Sequence, residues 1–189
     1  AKAAGRNGYK FYAVSMTAST NEQLVMESHL HSAVKNREFV LHYQPQLTAD
    51  GSVIGVEALI RWQCPGKGLL PPERFLRVAE QSGLIGVIGE WALRTACEQM
   101  REWRANGAST MRLAVNLSSS QITHGNILHL VSSVLRDTGL PAELLELEVA
   151  ETLVTDNAED AVAALASLRK LGVRIAIDDF GSGRSSLVS

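Results

Sequence analysis

The sequence predicts an α/β fold in which helices cover a largely parallel sheet, and three observations point there. From Phe39 onward, short runs rich in Val, Ile and Leu alternate with longer segments of helical periodicity. The joins carry start and stop signals, Pro71-Pro72, Gly83, Gly107, Gly139 and Gly172 among them. Hydrophobic side chains make up 46% of the 189 residues, which is enough apolar material for one buried core.

Taken in chain order, Tyr9-Lys10-Phe11-Tyr12-Ala13-Val14 reads as a short strand after the turn-prone Gly5-Arg6-Asn7-Gly8, a remnant of another unit. Two capping-box spacings, Ser19-x-x-Glu22 and Thr20-x-x-Gln23, open a linker helix with Met26, Leu30, Ala33 and Val34 on its apolar face, running to about Arg37. Strands are then expected at Phe39–Gln44, Val53–Trp62, Met111–Leu117, Leu144–Val149 and Val173–Ile177, several of them apolar enough for burial on both faces. The first two are close enough to pair as a hairpin across Thr48-Ala49-Asp50-Gly51. Pro71-Pro72 opens a helix that Gly83 closes, and Trp91, Ala92, Ala96, Met100 and Trp103 stripe a second that stops at Gly107. Ile127, Val131, Val134 and Leu135 stripe a third, ended by Gly139. Asn157 caps a fourth, in which Val162, Leu165 and Leu168 face inward before Gly172.

Two architectures suit this order. A closed eight-stranded α/β barrel takes about 250 residues, and five strands do not close one. An open doubly wound sheet accommodates five strands, yet the first connection carries no glycine-rich phosphate loop.

Charge narrows the function. With 18 basic against 20 acidic residues the net charge is −2, which lacks the basic footprint of double-stranded nucleic acid binding. A phosphate-bearing ligand would be held by a few placed groups. Cys64 and Cys97 show no CxxC spacing and no secretory apolar core precedes them, so both are expected as free thiols in a cytoplasmic protein. Apolar stretches such as Leu84 to Gly89 fall well short of the roughly 20 residues of a spanning helix, so this segment is not expected to contact a membrane, although a longer parent could be anchored to one.

The chemistry stands at the strand ends. Glu57 lies in the second strand, Asn116 ends the third, Glu148 is near the end of the fourth, and Asp178-Asp179 follow the fifth. In parallel α/β architectures such ends converge on one face. All are hard oxygen donors, a set that suits Mg²⁺ or Mn²⁺ rather than zinc. An acidic residue after an apolar strand also marks a chain simply leaving its core for water, but four consecutive strands doing so favours a shared site. Adjacent Asp178 and Asp179 repel each other unless a cation or hydrogen bonds offset them. Alternation places Glu57, Leu59 and Arg61 on one side of their strand, with Ala58 and Ile60 packing on the other. The Arg61 guanidinium suits a phosphate oxygen pair or an ion pair with Glu57. Trp62 suits the core or the face of a base. The glycines of Phe180-Gly181-Ser182-Gly183-Arg184-Ser185-Ser186 suit a lid over the strand ends or a plain turn. None of the five histidines has ligand spacing to these carboxylates.

These residues resemble the EAL family of cyclic-di-GMP phosphodiesterases. Glu57-Ala58-Leu59-Ile60-Arg61-Trp62 is similar to the family's signature strand. Tyr43-Gln44-Pro45, Pro72-x-x-Phe75 with Ala79-Glu80, Asn116-Leu117-Ser118, Glu148-Val149-Ala150-Glu151 and Asp178-Asp179-Phe180-Gly181 occur in the family's order, over roughly residues 36–189. The resemblance implies a partial TIM-like (β/α)8 barrel with an antiparallel first strand, truncated after about five strands and occupying residues 38–189. It also implies two divalent cations, Mg²⁺ or Mn²⁺, with Glu57, Asn116, Glu148 and Asp178 on one and Asp179 serving the other. Glu57, Glu151 and Asp179 would be catalytic, Glu151 by bracing the loop after the fifth strand. Gln44, Leu59 and Arg61 would contact cyclic-di-GMP, whose hydrolysis yields linear pGpG, and the domain would pair as a homodimer. Arg184 stands where the family usually has tyrosine, and the family's later lysine, glutamate and glutamine fall beyond Ser189. The chain alone is therefore expected to be inactive, or at most a nucleotide-binding module. Residues 1–18 resemble the tail of a GGDEF diguanylate cyclase domain and residues 19–37 form the linker helix, which implies a tandem parent.

Overall fold

The computed structural model describes residues 14–107, 110–124, 126–150, 153 and 159–178, with side chains from residue 22 onward except that of His124. The helix α1 (Val14–Asn36) leads into a hairpin of β1 (Phe39–Leu47) and β2 (Val53–Cys64). A three-residue strand β3 (Gly68–Leu70) follows, then α2 (Leu76–Gln81), α3 (Ile85–Ala105), β4 (Arg112–Leu117) and α4 (Ser119–His124). The order closes with α5 (Ile127–Thr138), β5 (Leu145–Ala150), α6 (Glu159–Lys170) and β6 (Arg174–Asp178).

The sheet runs β1-β2-β4-β5-β6, with β3 beside β2. The β1 and β2 strands are antiparallel, Phe39 opposite Trp62 and Gln44 opposite Glu57, whereas β2, β4, β5 and β6 are parallel neighbours. Sequential parallel pairing with helical crossovers is the arrangement of an α/β barrel wall, preceded by the expected antiparallel strand.

Three expectations need correction. The first helix starts at Val14 rather than near Ser19, because residues 14–20 contain no glycine or proline to stop it; Val14 is therefore helical, and the rest of the proposed first strand lies outside the described residues. The β3 strand went unread, being only three residues beyond the turn Pro65-Gly66-Lys67, where Gly66 and Gly68 hold φ of +75° and +76°. In α6 the inward stripe is Ala161, Ala164, Leu165 and Leu168, while Val162 is 51% exposed, so its phase differs by one residue from the expected one.

The C-terminal ends of α1 and α5 fall where the sequence marked them, whereas the Asn157 cap lies outside the described residues. Gly139 follows α5 at φ +68°, and its N–H donates to the Leu135 carbonyl at 2.9 Å. At the end of α1 a non-glycine takes that role: Arg37 has φ +58°, and the N–H of Glu38 donates to the Ala33 carbonyl at 3.0 Å.

One side of the sheet packs on helices. Val56, Leu113, Val115, Leu145, Leu147 and Val149 meet Leu93, Ala96, Cys97 and Met100 of α3 and Val131 and Val134 of α5. A second cluster joins α1 to the sheet through Leu30, Ala33, Phe39, Trp62, Phe75 and Ile88. Trp62 is a core residue, fully buried, with its indole N–H donating to Glu38 Oε2 at 3.0 Å. Both cysteines are free and buried. The opposite side departs from the expected burial on both faces: in β5, Leu145, Leu147 and Val149 are buried while Glu146 and Glu148 are only half-buried. The alternation leaves one face for polar groups, and the candidate site lies there.

Candidate active site

Parallel register gathers the strand-end groups. Asn116 sits opposite Glu148 across β4 and β5, and Asp178 sits opposite Ala150 across β5 and β6. The Asn116 Nδ2 donates to Glu57 Oε1 at 2.7 Å, bridging residues 59 apart in sequence. Glu57, Leu59, Asn116 and Asp178 line a cleft of about 450 Å³ that continues past Pro72, Glu73, Leu76 and Glu80 to Gly89 and Gln121.

The carboxylates feel one another. Burial, then the negative charges of Glu57, Asp178 and Glu146, then a hydrogen bond to Glu57 push the Glu148 carboxyl up to about 7. A proton or a cation relieves that repulsion. Among the described residues no three carboxylate, imidazole or thiol groups close on one point as a ready ligand set; the group is a polar rim of three carboxylates and an amide. Its donors are all oxygens in character, which fits a hard cation.

Glu148 predicts a pH dependence. Its folded-state pKa lies above the usual carboxylate value, so the folded state binds more protons than the unfolded one between those two values. Stability then falls as pH rises through about 4.5 to 7. Without cations, thermal unfolding should show about 1–2 kcal/mol more stability at pH 5 than at pH 8, a figure reduced for the exposure of the group. Glu148→Gln should flatten that difference, and a profile unchanged by the substitution would remove the assignment.

Not every expected contact group reaches the cleft. Gln44 is exposed, facing Glu57 only through backbone register, and does not line the cavity. Arg61 is half-buried beyond the rim, with Nη1 donating to the Ile60 carbonyl at 2.8 Å rather than to Glu57. Glu151, Asp179 and the loop with Arg184 lie outside the described residues. Glu73, Glu80, Gly89 and Gln121 on the far wall went unread as site residues; the capping-box spacing Ser118-x-x-Gln121 was the available signal for the last of these.

Parallel strands joined by helical crossovers, with polar residues gathered toward one end of the sheet, have the architecture of an α/β-barrel domain. The chain belongs to the EAL domain family, whose sequence profile matches residues 27–189. It is 46% identical over 189 residues, all of this chain, to the bifunctional diguanylate cyclase/cyclic di-GMP phosphodiesterase MucR of Pseudomonas aeruginosa. It is 35% identical over 187 residues, 99% of the chain, to the cyclic di-GMP phosphodiesterase PdeR of Escherichia coli. It spans only 28% of the length of each. Among solved structures, the PaMucR phosphodiesterase in complex with c-di-GMP superposes with a TM-score of 0.82 at 44% identity, over 86% of this chain and 66% of that one. The EAL enzyme Bd1971 with cAMP and cyclic-di-GMP bound gives 0.83 at 32% identity, over 92% of this chain and 48% of that one. The fold is accordingly a partial EAL barrel.

Proposed function

We propose that this domain is a metal-dependent phosphodiesterase that hydrolyses one phosphodiester of cyclic-di-GMP to give linear pGpG. The observation that carries this reading is the meeting of Glu57, Asn116, Glu148 and Asp178 on one rim, drawn from four different strands. Relatives named as cyclic di-GMP phosphodiesterases support the substrate class.

On this reading Glu57, Asn116, Glu148 and Asp178 hold one divalent cation, and Asp179 serves a second. Mg²⁺ or Mn²⁺ in that site supplies a reactive water near neutral pH and offsets charge in the in-line displacement. Glu148 must give up its proton when a cation enters, so affinity weakens in acid. Leu59 offers an apolar edge within the cleft. Arg61 and Gln44, on adjacent strands outside it, turn toward the dinucleotide when it binds, and Glu151 braces the loop after β6. On the same reading residues 1–18 correspond to the tail of a GGDEF domain and 19–37 to a linker that runs into the EAL portion, whose profile match begins at residue 27, in a cytoplasmic tandem protein that pairs through this domain.

The test is direct. The protein that carries this domain should release pGpG from cyclic-di-GMP with Mg²⁺ or Mn²⁺ and stop when EDTA is added. Tight nucleotide binding without any pGpG would instead make it a sensing module, and neither binding nor hydrolysis would end the reading.

A further inference from the structure

The turn after β4 is fastened to helix α3. Ser118 and Gln121 cap α4 reciprocally: the Ser118 N–H donates to Gln121 Oε1 at 3.1 Å, and the Gln121 N–H reaches back to Ser118 Oγ at 3.4 Å. Gln121 is 8% exposed, and among the described residues only Thr138 is another buried polar side chain. Burying an amide is costly unless its place is well defined.

That place depends on Gly89. A Cβ on Gly89 would stand 2.0 Å from Gln121 Nε2 and 2.8 Å from its Cδ, so the amide lies directly on the backbone of α3. Glycine is unfavourable inside a 21-residue helix, and the close approach is the reason it is needed there. Gly86, one turn earlier, has open space where its Cβ would be. The clamp therefore acts at one point, and through Gln121 it holds Ser118, two residues from Asn116.

We propose that Gln121, seated on Gly89, is a positioning residue for Asn116: it pins the Asn116-Leu117-Ser118 turn against α3 and so sets where the Asn116 amide meets Glu57. The inference rests on the phosphodiesterase reading above. Neither Gln121 nor Gly89 is placed among the cation-holding residues; they act through the turn.

In the protein that carries this domain, Gln121→Leu should weaken Mn²⁺ binding, followed by the electron paramagnetic resonance of free Mn²⁺, by about 10- to 100-fold. The kcat should fall by a similar factor, with KM for cyclic-di-GMP within about threefold of wild type. Gln121→Glu keeps the acceptor for the Ser118 N–H and should recover most of both. Gly89→Ala should reproduce the loss, and Gly86→Ala should not. Thermal unfolding of each variant separates loss of fold from loss of position, and Gln121→Glu serves where Gln121→Leu does not fold. A Gln121→Leu protein that binds Mn²⁺ as wild type does, or that raises KM at unchanged kcat, overturns this inference alone. A wild-type protein that neither binds Mn²⁺ nor hydrolyses the dinucleotide overturns the phosphodiesterase reading and this inference with it.

Discussion

Glu57→Gln should lower kcat for cyclic-di-GMP hydrolysis by about 10²- to 10⁴-fold and change KM by no more than a few-fold, because it deletes a ligand charge worth several kcal/mol in the transition state. The substitution is nearly isosteric, and one rotamer of the new amide still accepts the 2.7 Å bond from Asn116 Nδ2. The lost rate would then report the charge and not the packing. Arg61→Ala should behave oppositely. It stands outside the cleft and would act on ligand binding, so KM should rise by about 10- to 100-fold at nearly constant kcat. Steady-state kinetics on the two variants decides the matter: if both move KM alone, Glu57 does not hold the cation.

Trp62→Ala should destabilise the domain by about 3–5 kcal/mol, lowering the melting temperature by roughly 6–20 °C. The ring is fully buried among Phe39 and Phe75, at centroid separations of 6.1 and 5.8 Å, where β2 meets α1. Trp62→Phe keeps most of that contact but loses the donor to Glu38, and should cost about 1–2 kcal/mol. Glu38, partly exposed, keeps the bond it accepts from Asn36 Nδ2 at 3.0 Å. Urea unfolding with a shared slope measures both values, and a loss under about 1 kcal/mol for Trp62→Ala would mean that α1 contributes little to the fold.

Much of this was legible from local pattern. The strands β1, β2, β4, β5 and β6 announce themselves as apolar runs, and the parallel ones carry an oxygen donor within the strand (Glu57 of β2) or at or near its end (Asn116, Glu148 and Asp178 of β4, β5 and β6). The antiparallel start follows from the short turn at Asp50-Gly51, too brief for a crossover. What stayed hidden depends on distance. Nothing near Gly89 says that an amide 32 positions later will lie on it, and the Arg61 side chain shares a strand face with Glu57 without sharing its cavity. The phase of α6 was misread because a short helix rich in alanine offers two nearly equivalent apolar stripes, and the sheet chose Ala161 over Val162. The hydrophobic appearance of the strands also concealed a half-polar face, since Glu146 and Glu148 alternate with Leu145, Leu147 and Val149, whose apolar side chains suggested full burial.

The dispersal of the rim over four strands has a bearing on how the protein folds. Asn116 and Glu57 meet only after 59 residues of chain have been folded back, and Glu148 and Asp178 join through later parallel pairings. Such non-local closures come late, after helices and much of the apolar core have formed. A half-assembled chain can therefore bury most of its leucines and still have nothing to offer a cation. Any ion or dinucleotide drawn to that rim recognises only the finished article, so its binding energy is absent from the folding barrier. Ligands of this domain should lengthen the life of the native state by slowing its unfolding, and leave the rate at which it is reached almost untouched.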